Sequence, residues 1–237
     1  MVERNDDMGI WAAVKYALNS TLGTSNFLSL DKMIQAHGTQ TFTSNGTFTV
    51  PAGVTKIWVT ACGGGQAGSS GDYSRSSSGK GGAGGDCIFK KAFSVTPGQE
   101  ISIIVGKGGT TSGTIGNATV IGSLVTLAGG NNNRENTNGG GLGGMGGYSK
   151  SPNIYAESGK PGLIGLGGVP GYRSDAQYAG GGGGGSLGDG GRSGSIIDNR
   201  GQSGKPGQLG GGGGGGTSFN NSPDGGNGGD GIVIIEW

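Results

Sequence analysis

Little in this sequence is equipped for acid–base or metal chemistry. One histidine, His37, and two cysteines, Cys62 and Cys87, are all it holds of those types, so no zinc-spaced Cys/His set exists. No Gly-x-Ser-x-Gly elbow lies between a strand and a helix. The Gly–Lys pairs at 79–80, 106–107, 159–160 and 204–205 lack the upstream glycine and following Ser/Thr of a phosphate loop. We therefore expect no enzyme, with catalytic and metal residues none and cofactors none. Charge is scarce too: 13% of residues are charged and the net charge is +1, which leaves no electrostatic footprint for nucleic acid. Apolar residues make up 31% and form no run of membrane-spanning length, so no membrane insertion is expected. The first residues carry acids and no apolar h-region, which argues against a secretory signal. Two cysteines cannot build a disulfide framework. Cys62 and Cys87 bracket a glycine-rich hairpin and can end on adjacent strands. We read them as two buried free thiols, a disulfide being the alternative.

What the chain has instead is glycine, 62 residues in 237. It recurs on every third position at Gly159, Gly162, Gly165, Gly168 and Gly171, from Gly182 to Gly194, and from Gly201 to Gly216. Three residues per turn is the period of an extended polyproline-II-type helix. A bare edge along such a helix lets another backbone approach and exchange N–H···O=C bonds. Glycine is then ordered by hydrogen bonding between backbones rather than by side-chain burial. The longest register holds six glycines with loops on both sides, too short for a collagen triple helix. The positions between glycines carry Lys, Pro, Leu, Ile and Gln, not the flat small-residue face of an ice-binding bundle.

Three parts follow along the chain. Residues 1–38 form an expected helical attachment or oligomerisation segment, capped at Asp6 or Asp7, with Ile10, Trp11, Val14 and Leu18 on one apolar face. Residues 39–130 with 231–237 carry seven short apolar stretches, at 47–50, 56–62, 87–95, 100–105, 118–121, 123–127 and 231–237. Their turn punctuation predicts a small antiparallel sandwich with a glycine hairpin at 63–86. Residues 131–230 form an inserted bundle of polyglycine-II helices with recognition loops. The expected class is mainly β with non-regular glycine helices: an N-terminal α-helix, the sandwich and the bundle.

If each glycine run crosses the bundle once, loops 217–224, 172–181 and 131–138 share the far end with 72–78. Loops 149–158 and 195–200 then turn near the sandwich. The far loops hold residue types that recognition surfaces favour. We take Tyr73, Arg75, Asn132, Asn133, Arg134, Tyr172, Arg173, Asp175, Gln177, Tyr178, Phe219, Asn220 and Asn221 as candidate receptor contacts. The nonapeptide at 225–233 matches a single calcium-binding repeat, a device that needs tandem copies.

The stretch TFTVPAGVTKIWVTACGGG (47–65), the stretch SVTPGQEISIIVGKGG (94–109) and the ending GGDGIVIIEW resemble the glycine-rich domain of bacteriophage tail and tail-fibre proteins. The segment ALNSTLGTSNFLSLDKMI (17–34) is similar to their attachment segments, and the loop-broken glycine runs resemble the tail-fibre-tip adhesins of T-even-type phages. The resemblance implies a virion tail component, made in the host cytoplasm, that binds a host bacterial surface receptor, glycan or outer surface protein. It also implies contacts with other tail or fibre subunits, a homotrimer among the arrangements. The alternative is a non-enzymatic structural or assembly component of the tail.

Overall fold

The computed structural model describes residues 37–75, 78–132, 187–192, 194, 196–198, 200–218 and 220–237. Two antiparallel four-stranded sheets organise them. The first has the order β1 (Thr39–Phe42), β10 (Ile232–Glu236), β3 (Lys56–Cys62), β4 (Cys87–Ser94). The second runs β2 (Gly46–Thr49), β5 (Glu100–Ile104), β6 (Thr119–Ile121), β7 (Val125–Leu127). Alternation decides which face packs inward. On β3, Ile57, Val59 and Ala61 are fully buried, and they meet Phe48, Ile101, Ile103, Ile121 and Leu127 of the other sheet in one apolar core. Val233 and Ile235 of β10 close that core from the C-terminal side. The last strand therefore sits between β1 and β3 as a central strand of its sheet.

The edge strand β4 carries a bulge opposite Thr60, where Lys90 has a left-handed φ of 44° and its N–H donates to Thr60 Oγ1 at 3.1 Å. Antiparallel pairing places Cys62 directly opposite Cys87, with Cα atoms 4.2 Å apart, and the two form a disulfide. This corrects the free-thiol reading: the β3–β4 register dictates the meeting, and neither cysteine shows that register by itself. The bridge ties the point where the chain leaves one sheet for the glycine region to the point where it returns.

The glycine segments form a second layer of order without ladders. We number them as rods: I (63–71), II (79–86), III (106–109), IV (114–118), V (128–132), VI (188–194), VII (201–208), VIII (210–217) and IX (223–231). Rod I is the axis. Its N–H groups donate in a repeating cycle of three: Gly63, Gln66 and Ser69 to rod II, Gly64 and Ala67 to rod IV, Gly65, Gly68 and Gly71 to rod IX. Its carbonyls accept from rod III and the turn that follows it, through Gly109 and Gly113, from rod V through Gly130, and from rod VIII through Gly213 and Gly216. Six neighbours surround one rod, the three antiparallel ones taking its donors and the three parallel ones its acceptors. This three-residue cycle is the backbone bonding expected of polyglycine-II packing.

The cost of a side chain in that lattice explains the glycine. A Cβ on Gly68 would stand 2.5 Å from the carbonyl carbon of Gly214 and closer still to its oxygen. Rod VIII, bonded to rods I, II, VI, VII and IX, is glycine at every position from 210 to 216. An added Cβ at any position from 211 to 216 would lie within 2.3 Å of a backbone oxygen, whereas rod I, with its six neighbours, still finds room for the side chains of Gln66, Ala67, Ser69 and Ser70.

Two expectations are corrected. The class with an N-terminal α-helix does not stand: among the described residues there is no helix, and two antiparallel sheets with extended glycine rods satisfy the backbone. Residues 1–36, with the apolar pattern of Ile10, Trp11, Val14 and Leu18, lie outside the described residues, and a lone helical period is in any case a weak guide to stable structure. The run from Gly201 to Gly216, read as one crossing, is two. A turn at 208–211 reverses it beside the sandwich, with Leu209 at φ 37°, Gly210 at φ 82° and Gly211 N–H donating to the Gln208 carbonyl at 2.7 Å. Each crossing is then about 25 Å at ~3.1 Å per residue.

Candidate functional site

That hidden turn decides which loops lie together. Rod VI rises from Gly188, beside Gln208, to Gly194, beside Gln202 and Thr217. The following hairpin, β8 (Ile196–Ile197) and β9 (Arg200–Gly201), therefore stands at the end of the bundle away from the sandwich. Loop 195–200 was expected near the sandwich; the turn at Leu209 inverts the count, and this too is a correction.

Four described loops meet at this tip. The Tyr73 N–H donates to Ser222 Oγ at 2.9 Å, and the Ser218 N–H donates to Ser78 Oγ at 3.1 Å. Ser70 brings in a third loop: its N–H donates to Ser112 Oγ at 2.7 Å, while its hydroxyl donates to Asp224 Oδ1 at 3.1 Å. Asn221 grips the hairpin, with Oδ1 accepting from the Gly201 N–H at 2.8 Å and Nδ2 donating to the Gly201 carbonyl at 2.9 Å. The Thr217 hydroxyl donates to the Gly194 carbonyl at the hairpin's other end.

The candidate contact residues divide accordingly. Tyr73 is exposed at the tip, 53% accessible. Arg75 is exposed beside it, 3.5 Å from Asp72. The Ser74 hydroxyl, donating to Asp72 at 2.6 Å, holds that carboxyl below its ordinary range, with the Arg75 backbone and charge adding to the effect. Asn220 is exposed with φ 54°. Asn221 faces inward onto Gly201, as described. Asn132 is also part of the scaffold: its N–H donates to Gln66 Oε1 at 2.8 Å and its side chain to the Gly81 carbonyl at 2.7 Å. Asn133, Arg134, Tyr172, Arg173, Asp175, Gln177, Tyr178 and Phe219 lie outside the described residues, as do loops 149–158 and 172–181.

Sequence reasoning missed Ile197, Asp198 and Arg200, all exposed at the tip. The signal was present, since two isoleucines followed by Asp-Asn is a two-residue hairpin pattern. The same reasoning set aside the calcium motif, and its aspartate has another task. Asp230 bonds Lys107 Nζ at 2.7 Å and the Gly108 N–H at 2.9 Å, which pins rod IX to rod III. Burial pushes that carboxyl up, but the Lys107 and Gly108 bonds outweigh it and hold it below the usual range. Among the described residues no group of three or more His, Cys, Asp or Glu is placed to hold a metal.

The tip thus presents a mixed surface of tyrosine, isoleucine, arginine and amides, on loops cross-tied to a backbone lattice. The glycine-rich domain family model matches residues 40–237, and the chain belongs to that family. No curated protein matches the chain.

Proposed function

We propose that this is a tail-fibre or tail-tip receptor-binding protein of a bacteriophage, an adhesin that presents its tip loops to the surface of a host bacterium. The observation that carries this reading is the meeting of four loops at one end of a backbone-locked bundle, with the sandwich at the other. A scaffold held by N–H···O=C bonds leaves exposed tip side chains free to vary, because few of them are needed to hold the fold. Membership of the glycine-rich domain family and the likeness of the strand motifs to phage tail proteins support the same reading.

The test uses fluorescently labelled full chain against a panel of whole bacterial cells from several genera. Saturable binding to a subset of strains is expected. It should be lost when the exposed positions 73, 75, 197, 198, 200 and 220 are changed together to Ser or Gly. No saturable binding to any strain, or full binding by the changed protein, refutes the reading. A non-enzymatic assembly role predicts the first of those outcomes.

A further inference from the structure

The tip loops are not equivalent. Ile197 is the most exposed large apolar residue among the described residues, at 54%. It is β-branched and therefore stiff at χ1, so fixing it against a partner costs little rotamer freedom. It sits across the turn from Arg200, in a hairpin whose turn residue Asp198 holds a left-handed φ of 48°. Both ends of the hairpin are clamped, Gly194 by the Thr217 hydroxyl and Gly201 by the two Asn221 bonds. An aliphatic side chain displayed on a doubly anchored hairpin is preorganised to be covered.

Resting on the adhesin reading, we infer that the hairpin Ile196–Gly201 is the principal receptor-contacting element of the tip. Ile197 is its apolar anchor, Arg200 its flanking donor, and Asn221 a positioning residue rather than a contact. The occupant this chemistry fits is an outer-surface protein rather than a glycan: an apolar recess sized for a branched aliphatic side chain, with a carboxylate beside it for Arg200. Tyr73 is joined to the same loop assembly through Ser222.

The test compares Ile197→Ser with Leu209→Ser in labelled full-length protein on those strains the unaltered chain binds. Leu209 is a matched control, an aliphatic residue 43% exposed at the opposite end of the bundle. Ile197→Ser should weaken binding about tenfold or more, the range of a buried anchor, while Leu209→Ser leaves it unchanged. Asn221→Ala should weaken binding in the unaltered background and add nothing in the Ile197→Ser background. A purely structural Asn221 would lower thermal stability in both and affect binding equally in both. Equal binding by Ile197→Ser and the unaltered chain overturns the hairpin assignment and leaves the adhesin reading standing. Additive losses overturn the positioning role. Failure of the unaltered chain to bind any strain overturns the adhesin reading and this inference with it.

Discussion

Replacing Gly68 with alanine adds one methyl group at the axis of the bundle. The new Cβ would lie 2.5 Å from the Gly214 carbonyl carbon and 2.9 Å from the Gly213 carbonyl oxygen. Comfortable carbon–carbon contact begins at about 3.5 Å, so rods I and VIII must separate by about 1 Å. Both neighbours are backbone, so no rotamer change relieves the clash. Overpacking of this kind costs about 1–3 kcal/mol. The shift also strains the bond from the Gly68 N–H to Gly226 at 2.8 Å and the one Gly68 accepts from Gly113 at 3.1 Å, at about 1 kcal/mol each. The sum is about 3–5 kcal/mol, against a total stability on the order of 5–15 kcal/mol. At about 2–4 °C per kcal/mol for a domain of this size, Tm should fall by roughly 6–20 °C in a calorimetric scan. Gly53→Ala is the comparison, since nothing lies within 4 Å of its added methyl but its φ is +84°. It should cost only the left-handed penalty of about 1–2 kcal/mol. A Gly68→Ala protein that melts within 2 °C of the unaltered one, or above Gly53→Ala, would refute the packed-rod account.

Other outcomes follow from the same contacts. Changing Cys62 and Cys87 together to serine opens a loop of 25 residues and should cost about 3 kcal/mol in urea unfolding; an unchanged midpoint under oxidising conditions would contradict the bridge. Gln66→Ala removes a side chain that donates to the Gly113 carbonyl at 2.9 Å and accepts from the Ala83 and Asn132 N–H groups, leaving buried groups unmet. A loss of about 2–4 kcal/mol is expected, read by the same unfolding assay. The Asp230 carboxyl titrates below its reference value of 3.8, so its contribution is present above that pH and is lost as pH falls through the lower folded value. Asp230→Asn should therefore be less stable than the unaltered chain at pH 6, by about 0.5 kcal/mol after solvent screening, with the gap closing as pH falls below 3.8 through the lowered folded value. A gap that persists in acid would show that charge is not its source.

Much of the sandwich was legible because its strands alternate. Thr47–Val50 shows its inward face in the sequence itself, whereas the outward-facing Trp58 and Ile104 blur the alternation of Lys56–Cys62 and Glu100–Ile104. Thr39–Phe42 did not announce itself: four mostly polar residues become a strand only because β10 returns to pair with them. The three-residue period announced rods but not their direction. The turn at Leu209 consumes residues without shifting the register, so Gly207, Gly210 and Gly213 remain three apart across a reversal of the chain. One unseen reversal was enough to send the Ile196–Gly201 hairpin to the wrong end. The change from one glycine in three to glycine throughout at 210–216 marked the reversal, and it reflects backbone oxygens pressed against every one of those positions, a property of neighbours rather than of local sequence. For the same reason Asn132 and Asn221 looked like surface amides, although their partners lie 51 and 20 residues away.

The three-residue cycle of donors along rod I has a consequence for how such a protein can change length. Insertions of three residues in every rod of the bundle at one level restore each donor to its former neighbour, one rung further on, and lift the tip by about 9 Å. Insertions of one or two residues rotate the rod by a third or two thirds of a turn and aim every later N–H at the wrong partner. The height of the bundle is therefore quantised, and a lineage of such proteins should differ in reach by whole rungs.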